Sequence, residues 1–577
     1  MSLLKTQVRA SVLKFSKRYQ QVQAKVHHAP PIIPAGPVFH NPKHFPDRIA
    51  IRDRIAKYTY ANIFMSANEL SKDITKFCNG RTNERVMFMC SNDVNYVISL
   101  WAIWLSGQIA VPLSSLHPKN VLMYYANDCN SKLLISAPEY AELMNGVSVN
   151  TSSTLHVLDD KLNLNCAQKT FASQSDLEGA LPLSFYDGSN ALILYTSGTT
   201  GAPKGVVISH KNLQSQITTL VDAWKWSPND VLLHTLPLHH VHGIVNALLC
   251  PLYIGAKTIM LKKFNANTVW SFLLGITAQP DDRKTNVYMG VPTIYYKLVD
   301  EYHKVFKDDP KMVEHIKNTL KNKVRLMISG SAPMPMTLHE KWLEISGHSL
   351  LHRYGMTECG MVLSHQYDSE RIPGTVGVPL PGVSIRINEE TEKNENPKII
   401  LECTNLDGEV IFNKKNSSEE HLKGELLVKG EGVFKEYYNR PDATHKEFTD
   451  DGWFKTGDIC EYSKEMKQFK ILGRKSVDII KSGGYKLSAL EIETKLLLHP
   501  DIKECAVLGV NDEKWGQRVA VIMVTQSEKE LTVDEIREWA KDKMPNYWVP
   551  SVLKIVKEIP KNAMGKVNKK ELVKAMV

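Results

Sequence analysis

Paired cysteines are absent from this chain. Its nine cysteines include no CxxC pair, and an odd, scattered set fits a reducing compartment better than a disulfide framework. They read as buried structural thiols. Internal repeats and long tracts of biased composition are also absent. The 43% hydrophobic and 23% charged residues are ordinary for a globular protein. No apolar run continues unbroken for the thickness of a bilayer. The most apolar stretch, YVISLWAIWLSGQIAVPL (96–113), is interrupted by Ser106-Gly107-Gln108 and ends in Pro112-Leu113. That pattern predicts a buried helix followed by a buried strand, with no stable membrane insertion. Acidic residues are missing from residues 1–46, which hold seven Lys or Arg: Lys5, Arg9, Lys14, Lys17, Arg18, Lys25 and Lys43. These account for most of the formal net charge of +9 and leave +2 for the remainder. A nearly neutral body argues against nucleic acid as a partner.

The acid-free start carries Leu3, Leu4, Val8, Val12 and Phe15 spaced like one face of a helix and resembles a mitochondrial transit peptide, which implies a matrix location. The Pro-rich HHAPPIIPAGP then reads as a linker, so residues 1–40 are assigned to leader and linker. At 577 residues the chain is too long for one core. From about residue 45, helical stretches alternate with β-rich runs such as RVMFMC (85–90), KLLIS (132–136), ALILYT (191–196), VLLHTLPL (231–238) and VRLMISG (324–330). This alternation predicts α/β layering with largely parallel strands over residues 41–473. Residues 388–423 read as strands flanked by solvated loops. Residues 474–577 read as a small α+β domain: helix 488–498, strands 505–510 and 519–525, and helix 532–543.

The densest motif is ILYTSGTTGAPKGVVISH (193–210). A β-run ends in hydroxyls and glycines, followed by Pro203, Lys204 and Gly205. Glycines let several backbone N–H groups point at one anion, hydroxyls add donors, and Lys204 supplies a full charge. It is not a Walker A loop, because the Gly-Lys-Ser/Thr order is missing. The segment resembles the phosphate-binding signature of the adenylate-forming superfamily, which includes acyl-CoA synthetases, peptide-synthetase adenylation domains and beetle luciferases. The resemblance continues in family order through LPLHHVHG (236–243), GVPTIYYK (290–297), MISGSAPM (327–334), YGMTE (354–358), TVGVPLPG (375–382) and GELLVKG (424–430). It runs on through YYNRPDAT (437–444), DGWFKTGDI (451–459), GRKSVDIIKSGGYKLSALEIE (473–493) and IPKNAMGK (559–566).

The resemblance implies a large ATP- and acyl-binding domain, a small mobile C-terminal domain and a two-step reaction. A carboxylate attacks the α-phosphorus of ATP, and the thiol of coenzyme A then displaces AMP. It places Thr196, Ser197, Gly198, Thr199, Thr200, Gly201 and Lys204 on the ATP phosphates. Tyr354, with Gly355 and Met356, is placed against adenine, Thr357 on the α-phosphate, and Asp458 and Arg474 on the ribose. Glu358 and Thr199 are expected to hold Mg²⁺. Lys566 is expected to stabilise charge between the carboxylate and the α-phosphate, so the small domain must close and later rotate about a hinge within residues 474–478. Lys481, Gly483, Gly484 and Lys486 would face coenzyme A. His240, Ser329, Gly330 and Ser331 would border the acyl group; a zinc site at His239, His240 and His242 is disfavoured for want of a suitably spaced fourth ligand.

Arg353 precedes the YGMTE run where family members typically carry a small residue. A buried guanidinium without an anion is costly, so its partner is either an internal acid such as Glu344 or a second carboxylate on the substrate. The second reading favours a short diacid, malonate or methylmalonate, and the surrounding strings are similar to malonyl-CoA synthetases. His352, where an acid is expected, would modulate Arg353. Lys297 reads as a surface helix position rather than a second pocket cation. The competing functions are a medium-chain fatty acyl-CoA synthetase, disfavoured by Arg353, and a non-catalytic nucleotide-binding protein, disfavoured by Lys204, Glu358, Asp458 and Lys566. No carrier-protein domain follows residue 577, which disfavours a peptide-synthetase module, and the final AMV is no peroxisomal signal.

Overall fold

The computed structural model describes residues 36–196, 202–277, 279–389, 397–415, 419–483, 485–526, 529–561 and 567–576. Two mainly parallel sheets form the body. In one, seven strands run in the order Glu436–Tyr437, Lys204–Ser209, Asn190–Thr196, Ile109–Pro112, Arg85–Met89, Leu133–Ser136 and Thr154–Val157. In the other, nine strands run from Val378–Pro379 through Gly360–Ser364, Leu351–Met356, Leu326–Ser329, Val287–Gly290, Val231–His234, Lys257–Met260 and Ile49–Arg52 to Lys57–Thr59. The inner strands of both are buried on both faces, which is why they read as continuous apolar runs. Antiparallel pairing enters towards the sheet ends, through the hairpins within 49–59, 190–209 and 351–364 and through the edge strand Val378–Pro379.

The apolar stretch 96–113 resolves into the helix Val94–Leu105, all twelve residues buried, and the buried strand Ile109–Pro112. Asp93 caps the helix by accepting from the Asn95 N–H, and Trp104 Nε1 donates to the Ala191 carbonyl at 2.8 Å. Among the described residues no helix is long and apolar enough to cross a membrane. Packing begins inside the segment assigned to leader and linker. Val38–His44 forms a 3-10 helix, and the Phe39 ring is buried 5.1 Å from Tyr186 and 5.6 Å from Trp104.

A third, six-stranded antiparallel sheet spans Ser384–Asn388 to Gln468–Arg474. The next strand, Ile479–Ser482, belongs to a separate five-stranded sheet with Tyr485–Ser488, Gly516–Thr525, Ile502–Asp512 and Val552–Ile555. This small sheet is covered on both faces. Val507, Val521 and Met523 pack into one apolar cluster with the helices Ala489–Leu496 and Val533–Ala540, while Leu508, Ala520 and Ile522 pack into another with Leu572.

Candidate active site

Ser329–Ser331 and Arg353–Glu358 lie where parallel strands of the nine-stranded sheet end at their carboxyl sides, the usual ligand position in open α/β sheets. Ser329 ends one strand and pairs in register with His352 on the next, so Gly330 and Arg353 come next on the opposite face. The Arg353 guanidinium lies against Gly330; a Cβ at 330 would stand 2.5 Å from Arg353 Cζ, so the glycine makes room for the arginine. Arg353 is 4% exposed, and burial pushes its pKa down to about 9. It makes no ion pair among the described residues. Its only hydrogen bond to a side chain there donates from Nη2 to Ser331 Oγ at 3.2 Å, and its Nε has no partner. Among the described residues, therefore, no internal acid meets this charge.

Ser331 Oγ also lies 3.2 Å from His242 Nδ1. With Arg353 donating to the hydroxyl, Ser331 is free to donate to Nδ1, which places the His242 proton on Nε2, a buried atom with no partner. Burial, and then the Arg353 charge, push the His242 pKa well down, so the ring stays neutral. The residues His242–Leu249 wind as a π-helix, a form that recurs at functional sites. Gly243 is needed there because a Cβ would meet the Pro237 carbonyl oxygen at 2.0 Å. His240 is half-buried and packs ring to ring with His239 at 4.0 Å. Ser329, by contrast, shares a face with His352 rather than with Arg353, and its buried hydroxyl has no partner.

His352 does not modulate Arg353. Strand alternation turns it to the other face, where its Nε2 lies 3.3 Å from His339 Nδ1 and its ring stacks on His365 at 5.5 Å. Burial pushes His352 down to about 3 and His365 to about 4, leaving both neutral. Lys297 lies exposed on the helix Pro292–Val305, away from any pocket role, with its ammonium 5.9 Å from the Phe264 ring.

Tyr354 donates its hydroxyl to Asp458, and Arg474 Nε lies 3.3 Å from the other Asp458 oxygen. The three residues predicted for adenosine are thus one network. Gly355, Met356 and Thr357 follow, half-buried, into the turn before Gly360–Ser364; a Cβ on Gly355 would strike the Gly360 carbonyl at 2.0 Å. Glu358 is buried and makes no ion pair among the described residues. Burial pushes its carboxyl pKa up, against the Tyr437 hydrogen bond that holds it down. A desolvated carboxylate without a cation suits a hard divalent ion such as Mg²⁺.

Thr196 and Lys204 face each other across an antiparallel hairpin. The phosphate loop therefore joins two strands rather than a strand and a helix. Its base is fastened: Tyr195 stacks on Tyr125 at 4.0 Å and donates to Asp128, and Tyr124 donates to the Pro203 carbonyl at 2.8 Å. Lys204 Nζ lies 3.7 Å from Glu447 and 4.4 Å from the Tyr437 ring centre. Ser197, Gly198, Thr199, Thr200, Gly201, Gly484 and Lys566 lie outside the described residues. In the small domain Lys481 and Lys486 oppose each other across a hairpin, and Gly483, at φ +56°, closes its turn beneath Trp515. Tyr437 is the residue that motif reading passed over, although it opens YYNRPDAT; only its tertiary contacts reveal it.

Residues 38–438 match the AMP-binding enzyme family and residues 491–566 match the AMP-binding enzyme C-terminal domain. The chain is 44% identical over 547 residues to malonate–CoA ligase ACSF3, mitochondrial, of Bos taurus, covering 94% of this chain and 90% of that protein. Among solved structures, ATP-bound MatB from Rhodopseudomonas palustris superposes with a TM-score of 0.78 at 28% identity, covering 93% of this chain and 99% of that one. A malonyl-CoA ligase ternary product complex with methylmalonyl-CoA and AMP bound superposes with a TM-score of 0.59 at 31% identity, covering 89% and 97%.

Proposed function

The chain belongs to the AMP-binding enzyme family, and from that premise we propose that it ligates malonate, and secondarily methylmalonate, to coenzyme A. It is an AMP-forming acid–thiol ligase that uses ATP, Mg²⁺ and coenzyme A. One malonate carboxylate attacks the α-phosphorus of ATP and releases pyrophosphate; the thiol of coenzyme A then takes the malonyl group and releases AMP. The observation that carries the choice of acid is Arg353, a buried cation with no anion on it among the described residues. A planar guanidinium fork grips a carboxylate bidentately, and His242 Nε2–H is a second unpaired donor beside it. A fatty acid would leave that charge buried against methylenes, at a cost of several kcal/mol.

In this reading the rest of the site serves the nucleotide. The Tyr354 ring takes adenine, and Asp458 and Arg474 take the ribose hydroxyls. Thr357, Thr196, Lys204 and the Ser197–Gly201 loop hold the phosphates, with Gly355 and Met356 shaping the floor. Mg²⁺ on Glu358 and Thr199 would neutralise charge developing on the phosphates. His240, Gly330 and Ser331 border the acyl group, Ser329 being turned to the face of His352, and Lys481, Gly483, Gly484 and Lys486 face coenzyme A. Lys566 balances charge during adenylation. The domain division at residues 474–478 fits a swing of the small domain between the two steps. A mitochondrial, matrix location is supported by the basic, acid-free N-terminus and by the mitochondrial relative.

Thioester formation across malonate, methylmalonate, succinate, acetate and octanoate tests the reading, with Arg353→Ala beside the native chain. Malonate should lead. Arg353→Ala should lose at least about 30-fold in malonate kcat/KM, because removing one partner of a buried charge pair costs about 2 kcal/mol or more. Octanoate ahead of malonate in the native chain would sink the diacid assignment. An unchanged malonate kcat/KM in Arg353→Ala would remove only the arginine's part.

A further inference from the structure

The inference rests on the reading of Glu358 as the cation ligand and Lys204 as a phosphate ligand, and concerns what sets the two relative to each other. They come from separate sheets: Glu358 from the turn at the end of Leu351–Met356, Lys204 from the start of Lys204–Ser209. Between them runs the segment 434–438. Its first residue is fastened to Glu358, the Phe434 N–H donating to the Glu358 carbonyl at 2.6 Å. Its remaining residues are fastened to the strand of Lys204. Glu436 and Tyr437 pair with Val207 and Val206, Lys435 N–H donates to the Val207 carbonyl at 3.0 Å, and Tyr438 N–H donates to the Gly205 carbonyl at 2.8 Å.

The side chain of Tyr437 completes the bridge. Its hydroxyl donates to Glu358 Oε1 at 3.0 Å, while the Lys204 ammonium sits 4.4 Å from its ring centre. The residue is 5% exposed and its ring is backed by Phe434 at 4.9 Å, so it has little freedom to turn away. We infer that Tyr437 is a positioning residue for activation of the acid: its hydroxyl fixes the Glu358 carboxylate that receives the cation, and its ring face fixes the Lys204 ammonium that receives the phosphates. Both contacts are polar and directional, and packing alone does not call for a hydroxyl here. A phenyl ring would fill the same volume and keep Lys204 while releasing Glu358. The two halves of the role are therefore separable by substitution.

Titration calorimetry of the full chain with α,β-methylene-ATP, without acid or coenzyme A, reads binding without turnover. It is run in EDTA and over a series of Mg²⁺ concentrations. For Tyr437→Phe, binding in EDTA should match the native chain, while the Mg²⁺ concentration for half-maximal tightening should rise about 10-fold, the scale of one hydrogen bond to a charged group. Tyr437→Leu should show the same Mg²⁺ shift and also bind about 2- to 5-fold more weakly in EDTA, the scale of a cation–π contact whose ammonium keeps part of its water. A native Mg²⁺ dependence in Tyr437→Phe would overturn the positioning role. So would an equal loss with and without Mg²⁺ accompanied by a lowered Tm, which marks a purely structural residue. Glu358→Gln separates the two levels. If it leaves the Mg²⁺ dependence untouched, the assignment of Glu358 as ligand fails; if it abolishes the dependence while Tyr437→Phe does not shift it, only the inference about Tyr437 fails.

Discussion

His352 shows at the scale of one residue how a strand separates neighbours. Arg353 faces an open demand for an anion, while the adjacent His352 is sealed among His339 and His365 with its pKa down at about 3. Desolvation by burial is the larger cause and the two neighbouring rings add to it. In the unfolded chain the same ring titrates near 6.5, so below that pH the unfolded state binds the extra proton and stability falls. The loss runs from pH 6.5 down towards the folded value. At pH 5 it amounts to about 2 kcal/mol for this residue. Thermal midpoints at pH 7.5, 6 and 5 should therefore fall less steeply in His352→Gln than in the native chain, even if the variant starts lower. Equal slopes would contradict neutral burial of this ring. Sequence could flag both residues as odd but could not tell which face each takes, because register is fixed by pairing with Leu326–Ser329.

At the scale of elements, the small domain is held to its own first residues by charge as well as by apolar packing. The helix Lys569–Lys574 begins with Lys569, whose ammonium lies 2.6 Å from Asp478 and 2.7 Å from Glu493. Asp478 also accepts from the Arg474 N–H, so the C-terminal helix is tied to the segment between the two domains. Lys569→Met would leave buried Asp478 and half-buried Glu493 without their cation, a change worth about 3 kcal/mol. Hydrogen exchange should show lost protection in Ile502–Asp512 and Gly516–Thr525 while the two large sheets keep theirs; unaltered protection in the small sheet would refute the tie. The elements themselves were legible from apolar runs and periodicity, for example Arg85–Met89 and Ala489–Leu496. The ends of strands were less so. VLLHTLPL reads as one strand over 231–238, but the strand stops at His234, whose ring is drawn to the Gly243 carbonyl at 3.0 Å.

For the whole molecule, the described motif residues lie far apart in sequence and converge from both large sheets. If Lys566 acts only in the first step, Lys566→Ala should lose malonyl-adenylate formation yet still form the thioester from supplied malonyl-adenylate. Single-turnover assays of each half separate the outcomes, and loss of both halves would contradict that division. What the sequence determined by itself is the chemistry: ordered motifs from 193 to 566 name the family, because residue types at fixed spacing persist wherever a nucleotide must be held. Arg353 could also be singled out, since a guanidinium in an apolar run demands an anion. Only the tertiary structure decided that no internal acid answers that demand among the described residues, that His352 turns away, that the packed body starts by Val38, and that Tyr437 bridges Glu358 and Lys204. Each of these depends on distances between residues remote in the chain, which register and sheet order set and local spacing does not encode.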